Sequence, residues 1–459
     1  MHGMITALHL QLILSSITMD LDTLKQITQD VLHLAKQFGA SSAEVEVSYG
    51  TGQNVSVRMG EAENIEYNRD KGISTTVYFG YQKGHASSSD LSPQALKDTV
   101  EAACNIAKYT AKDEFCGLAD ASLMATECPD LDLYHPWQIN VDEAIDIARQ
   151  CEAAALAVDT QRITNSEGAS VYCNEGVFAY ANSHGFIGGY PSTRHSISCS
   201  VIAEQNHTMQ RDYWYTSARC ASDMDSAASV GKVAGERTVR RLGSQPIKTG
   251  QYPVLFEAPL ASGLISTLIS AISGGNLYRK SSFLLDSLGK PIASQLLNIQ
   301  ELPLLKRGAA SSAFDSEGVA TKTRQIVENG VLQGYLLSSY SARKLGMQTT
   351  GNAGGAHNLI VQHTNHSFSD LLRTMGTGLL VTEILGHGLN MVTGDYSRGA
   401  AGFWVENGVI VHPVEEITIA SNMNDMLKSI IAIGTDVIPN SSKQTGSILI
   451  ERMTVAAGE

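Results

Sequence analysis

The sequence predicts an α+β protein of two domains, and three observations carry that expectation. Helical and strand periodicities arrive in blocks and not in strict β–α–β alternation, which argues against a doubly wound sheet. Forty-one glycines against eleven prolines imply many tight turns and hence a sheet-rich chain. At 459 residues the chain is past the size at which one core usually divides. Hydrophobic residues at 43% and charged residues at 17% are globular composition and not disorder.

Residues 1–18, MHGMITALHLQLILSSIT, lack the basic start and small-residue cleavage site of a signal peptide, and their apolar run is too short to span a bilayer. They are expected to be a ragged extension before Met19. A helix then starts at Asp20 or Asp22, with Leu24, Ile27, Val31, Leu34 and Phe38 on one apolar face. AEVEVSYG, NVSVRMGE, NIEYNRDKG and STTVYFGYQ alternate at period two, predicting an antiparallel meander of about four strands. Residues 90–110 return to helical period behind Asp90 or Ser92, and 141–159 form the strongest helix, rich in Ala, Glu and Ile. VFAYANSHG, FIGGYPSTRHS, ISCSVIAEQ and MQRDYWYTSAR are a second strand block, closed by a helix at about 225–242. The polar, Gly/Pro-broken stretch LGSQPIKTGQYP (242–253) separates an N-terminal α+β domain, 19–242, from a strand-rich C-terminal domain, 252–459. There YPVLFE reads as a strand and APLASGLISTLISAISGG as a helix ended by glycines. Asn329-Gly330 and Asn407-Gly408 each sit between apolar alternations, a strong hairpin signal, and TGSILIERMTVAAG reads as a last strand.

The net charge of −13 argues against nucleic acid or an anionic membrane as the main partner. RTVRRLGSQPIK (237–248) is the basic exception, expected to be the polar end of a helix plus a linker. No segment is expected to cross a membrane. Seven cysteines, Cys104, Cys116, Cys128, Cys151, Cys173, Cys199 and Cys220, all lie in the first half with no C-x-x-C pair. That fits scattered thiols in a reducing compartment, so a cytoplasmic location is expected.

Several chemistries have no signature. There is no G-x-S-x-G elbow, no phosphate loop, and no G-x-G-x-x-G after a strand. His357, His363 and His366 are close in sequence but fit no common ligand spacing. Ser192 and His195 are i, i+3 in a strand region and so face opposite sides, which disfavours a nucleophilic dyad. The stretch TEILGHG (382–388) is the remaining candidate. Glu383 and His387 are i, i+4 and would share a face if the segment were helical. Thr382 stands where a first imidazole ligand would be, and a hydroxyl is a poor zinc ligand. The residues alone allow half of a metal site, or else a hydrogen-bonded Glu–His pair or two unrelated residues in a close-packed glycine turn, and favour these plainer readings.

MGTGLLVTEILGHG, TGDYSRGAAGFWVENG, YRKSSFLLDSLGK, SYSARKLG and TGNAGGAHN, with ITNSEG, NSHG and STRHS before them, closely resemble the TldD/PmbA family of metallopeptidases, and most closely its PmbA (TldE) branch. The resemblance runs from about Met19 to the end. It implies two branches working as a pair, of which the TldD branch holds a catalytic metal through His-Glu-x-x-x-His and a tail cysteine. Carried onto this sequence, the first histidine falls on Thr382, the glutamate on Glu383 and the second histidine on His387. Beyond residue 420 there is no cysteine; Ser441, Ser442 and Gln444 are the candidates for its place. The resemblance therefore implies a chain with a vestigial site: Glu383 as a relic of the catalytic base, His387 of a metal ligand, and no tightly bound metal of its own. Zinc or a similar divalent metal would sit in a TldD-type partner. The implied substrate is a peptide or unfolded polypeptide, bound as an added strand through its backbone, with a homodimer expected when the chain is alone. Two alternatives stand beside this: a self-sufficient metal-dependent peptidase using Glu383 and His387 with distant ligands such as His357 or His363, and a non-catalytic peptide-binding protein.

Overall fold

The computed structural model of the chain describes residues 19–457; the expected extension over 1–18 lies outside the described residues. The architecture is α+β, as expected. Six strands, β1 (Ser42–Arg58), β2 (Glu61–Phe79), β3 (Gln82–Ser88), β4 (Ile163–Asn182), β5 (Ile187–Gln205) and β6 (Thr208–Ala218), form a sheet of order β3-β2-β1-β4-β5-β6. Among the described residues the chain divides into one compact unit of 19–51, Asn68–Leu118 and Glu175–Ser192, and a second of Gly52–Tyr67, Ala119–Asn174 and 193–457.

The strands are longer and fewer than alternation alone suggested. AEVEVSYG and NVSVR are one strand, β1, and NIEYNRDKG and STTVYF are one strand, β2. Gly50 and Gly72, which end the alternating stretches AEVEVSYG and NIEYNRDKG, both lie inside strands. The true turn is at Met59 and Gly60, both at positive φ (50° and 82°). The same holds later: FIGGYPSTRHS and ISCSVIAEQ are the single strand β5.

In the first unit the helix Leu21–Gln37 is capped by Asp20, whose carboxylate accepts the Thr23 N–H at 2.8 Å. The helix Pro93–Tyr109 starts at Ser92 with proline in its first turn. Their apolar faces, through Leu24, Val31, Val100 and Ala103, share a core with Val45, Val47, Ile73 and Val77 of the sheet. In the second unit the helices Val141–Leu156 and Ala227–Val239 pack with Val55, Val57, Val171, Ile197 and Val201. Those two helices touch at Gly231, where a Cβ would lie 1.8 Å from the Cys151 carbonyl oxygen, so only glycine fits.

The rest of the second unit holds two more sheets. In chain order their strands are β7 (Gly250–Phe256), β8 (Ile299–Glu301), β9 (Arg324–Glu328), β10 (Val331–Leu332), β11 (Leu359–Val361), β12 (Gly378–Leu385), β13 (Asp395–Glu406), β14 (Val409–Asn422), β15 (Ile430–Ile433), β16 (Lys443–Gln444) and β17 (Ile448–Ala456). One sheet runs β14-β13-β12-β7-β17-β15 and the other β10-β9-β8-β11-β16. The buried helix Ala258–Ala271 shares the main core with them through Leu264, Ile265 and Leu268. Both expected hairpins form: Glu328 pairs with Val331 and Glu406 with Val409, with Asn and Gly of each turn at positive φ.

A buried polar knot joins β8 to β9. Glu301, 1% exposed, receives Arg324 Nε at 2.8 Å, Asn352 Nδ2 at 2.8 Å and the His357 backbone N–H at 2.8 Å, and its Oε1 lies 3.1 Å from His357 Nδ1. Burial opposes ionisation, but the His357 hydrogen bonds and the Arg324 charge outweigh it and hold the carboxyl down at about 2. A carboxyl with a lowered folded-state pKa contributes stability above its unfolded value, and that contribution is lost as pH falls toward the folded value. Denaturant unfolding of the wild type between pH 5.5 and 2.5 should therefore show a loss of up to about 3 kcal/mol from this group. Glu301→Gln should be less stable at neutral pH and should lack that part of the acid dependence.

Candidate functional site

Residues Leu379, Leu380 and Val381 of β12 are fully buried and pair in parallel with β7 and antiparallel with β13. The register slips between Val381 and Glu383, leaving Thr382 opposite no residue of β13. The slip brings Thr382 and Glu383, which strict alternation would put on opposite faces, to the same cleft. This cleft, about 580 Å³, is lined also by Tyr213, Trp214 and Tyr215 of β6 and by Arg237 and Arg241.

The condition for Glu383 and His387 to share a helical face is not met, because TEILGHG is the end of a strand followed by a bend. Gly386 takes φ +70° and turns the chain out of β12. Gly388 packs so closely that a Cβ would stand 1.5 Å from the Ser397 carbonyl oxygen. His387, between them, is exposed and outside the cleft. The two glycines of the motif thus answer to backbone geometry.

Glu383 is held instead by the Arg241 guanidinium, its ion-pair partner. Arg241 Nη1 also lies 3.8 Å from Asp212 Oδ2, and Arg237 Nε lies 3.4 Å from the same oxygen. Arg237 Nη1 donates to both Glu257 oxygens at 2.9 and 3.0 Å, and Arg240 Nη2 reaches Glu257 at 3.3 Å. Trp214 stacks beneath Arg237, 5.0 Å from ring centre to guanidinium carbon. Burial works against the charge on Arg237, yet Glu257 and Asp212 more than restore it and raise its pKa. The basic stretch 237–248 was expected to be a polar helix end plus a linker; in the folded chain three of its arginines point at carboxylates. The spacing 237, 240, 241 (i, i+3, i+4) was the available signal, since it sets three cations on one helical face.

The residues at the family's ligand positions do not fit a zinc ion. Such a site needs three protein donors at about 2.0–2.3 Å. Thr382 is 7% exposed, Glu383 is paired with arginine, and His387 points elsewhere. Of the tail candidates Gln444 lies in β16 of the five-stranded sheet, and Ser441 and Ser442 lead into that strand. Ser441 Oγ accepts the Lys443 N–H at 3.2 Å, the Ser442 carbonyl accepts the Leu359 N–H, and Gln444 pairs with Ile360. The other histidines do not converge. His357 is bound to Glu301, His363 lines a separate groove, and His366 meets the Thr364 hydroxyl at 2.9 Å. His195 is buried, with Nε2 2.8 Å from the His135 carbonyl oxygen. Among the described residues no three His, Cys, Asp or Glu side chains are grouped as a metal requires. None of the described helices is long and apolar enough to cross a membrane.

Models of the PmbA/TldA metallopeptidase domains match in succession: domain 1 at residues 43–107, the central domain at 134–242 and the C-terminal domain at 249–457. This chain belongs to the PmbA/TldD family of metallopeptidases. The Metalloprotease PmbA of Escherichia coli O157:H7 is 49% identical over 444 residues, covering 97% of this chain and 98% of that protein. A solved Bacteroides thetaiotaomicron structure, of a candidate modulator of DNA gyrase, superposes with a TM-score of 0.91 at 30% identity over 96% of this chain and 100% of its own. TldE of Thermococcus kodakarensis shares the fold, with a TM-score of 0.82 at 20% identity over 94% of this chain and 100% of its own.

Removing Arg237 would leave Asp212 and Glu257 buried without their main counter-charge, a defect costing about 3–5 kcal/mol. Arg237→Ala should lower stability by that order in denaturant unfolding. Arg241→Ala should cost less, about 1 kcal/mol, because Glu383 is 34% exposed and water can take over.

Proposed function

We propose that this chain is the PmbA/TldE-type subunit of a two-chain cytoplasmic metallopeptidase that hydrolyses peptides and unfolded polypeptides. The metal, zinc or a similar divalent ion, would be held by a TldD-type partner. The observation that carries this reading is the ion pair between Arg241 and Glu383. A guanidinium occupies the carboxylate that would otherwise serve as base, beside a threonine in the first ligand position. A cation already seated on Glu383 competes with any metal for it, and one solvent-exposed imidazole cannot hold zinc tightly by itself. Membership of the family, and near-full-length identity to a curated metalloprotease, support peptide-bond hydrolysis as the reaction of the assembly.

The chain's own contribution would be substrate binding and completion of the assembly. β6 is an edge strand of its sheet, and Tyr213 and Tyr215 on it are exposed. An extended polypeptide can add to such an edge through main-chain hydrogen bonds, which select conformation more than sequence. That suits a peptidase acting on unfolded chains.

The test is elemental analysis of the chain purified alone without chelator, together with a peptidase assay of each chain and of the mixture. Far below one metal per chain and turnover only in the mixture are expected, with His387→Ala in this chain leaving the mixture's rate unchanged. One tightly held metal per chain, lost in His387→Ala, would instead establish the self-sufficient enzyme. Peptide binding without turnover in the mixture would establish a non-catalytic binder.

A further inference from the structure

On the five-stranded sheet the registers align Gln325 with Gln300, Gln300 with Ile360, and Ile360 with Gln444. Directly opposed residues share a face, so these four make one row across β9, β8, β11 and β16. The neighbours on either side point the other way: Ile299, Glu301, Leu359 and Val361 are all buried. The row therefore faces outward, into a groove of about 870 Å³ also bordered by Gln295 and Gln362.

Among the described residues, the side-chain amides of Gln295, Gln300, Gln325, Gln362 and Gln444 make no hydrogen bond within the protein. Five primary amides thus border one concavity, each keeping a donor and an acceptor for something else. Among the described residues the groove's titratable linings are Glu328 and His363, against seven primary amides counting Asn298 and Asn329, so its polar lining is mainly neutral and holds one carboxylate. Leu296, Ile360 and Val437 supply apolar contact beside the amides.

The geometry points to this groove as a second binding site, one for the main chain of an extended polypeptide. An extended peptide presents alternating N–H and C=O groups, for which primary amides are matched in both senses. At an interstrand spacing of about 4.8 Å the four-residue row spans about 14 Å, roughly four extended residues. An anionic ligand finds no lysine or arginine among the described lining residues, and a cationic one finds the single carboxylate of Glu328. A glycan would need a flat apolar platform for its sugar faces, and no aromatic side chain lines the groove. The inference rests on the proposed peptidase function and adds to it a place where this chain holds substrate away from the Glu383 cleft.

The experiment is fluorescence anisotropy of a short, uncharged, unstructured peptide carrying fluorescein, titrated with the full chain. Gln300→Ala/Gln444→Ala should weaken binding roughly ten-fold or more, and Gln325→Ala by a smaller factor, with thermal unfolding of each unchanged. Swapping the peptide's apolar residues for others of like size should change little. The proposal is overturned if the double variant binds as the wild type does, if the anisotropy does not rise at the highest concentration of wild-type chain reached, or if a neutral oligosaccharide displaces the peptide. Should it fail while proteolysis still demands both chains, the two-chain function stands and only the groove is discarded.

Discussion

The pairing of buried charges in the second unit constrains much of what surrounds it. Asp212 on β6, Glu257 ahead of the helix Ala258–Ala271 and Glu383 on β12 come from three separate elements, and all three are answered by arginines from 237–241. A charge withdrawn from water must meet its opposite, so helix, strand and loop are tied to one mutual arrangement. Such a cluster adds little net stability over an apolar one of the same shape. It specifies position, because each partner has a single acceptable place.

That constraint also bears on chemistry. In a metal site the carboxylate, imidazole and solvent are organised around a cation. Here the cation beside Glu383 is a guanidinium, permanently charged and planar, with donors directed at two carboxylates. It can neutralise and orient but cannot polarise a carbonyl or activate water as a Lewis acid does. That difference is the ground on which the bond-breaking step is proposed above to lie in a partner chain.

The sheets offer two surfaces for the peptide contacts proposed above. β6 presents a backbone edge beside aromatic residues, and the five-stranded sheet presents a face of unpaired amides. Both would recognise main chain before side chain. Low sequence selectivity with a strong preference for extended conformation is the behaviour to be expected of such surfaces.

Much of the fold was legible in the sequence for local reasons. The caps at Asp20 and Ser92, the apolar face of the first helix and the two Asn-Gly hairpins depend on residues within a few positions of one another. The long motifs carried the family, since they are read as strings. Strand lengths were not legible, because a glycine inside a paired strand and a glycine in a turn look alike until the partner strand is known; Gly50 and Gly60 differ only in that. Nor was the state of TEILGHG. Whether Glu383 shares a face with His387 depended on β7 and β13 taking the segment as a strand, and the arginine that meets it comes from 142 residues earlier. The row that carries the amides of Gln300, Gln325 and Gln444, with Ile360 between them, likewise exists only by register. The sequence by itself determined which local structures were available and which family the chain belongs to. Only the tertiary structure decided which charges and amides meet, because those pairings are made by backbone hydrogen bonds between segments far apart in the chain.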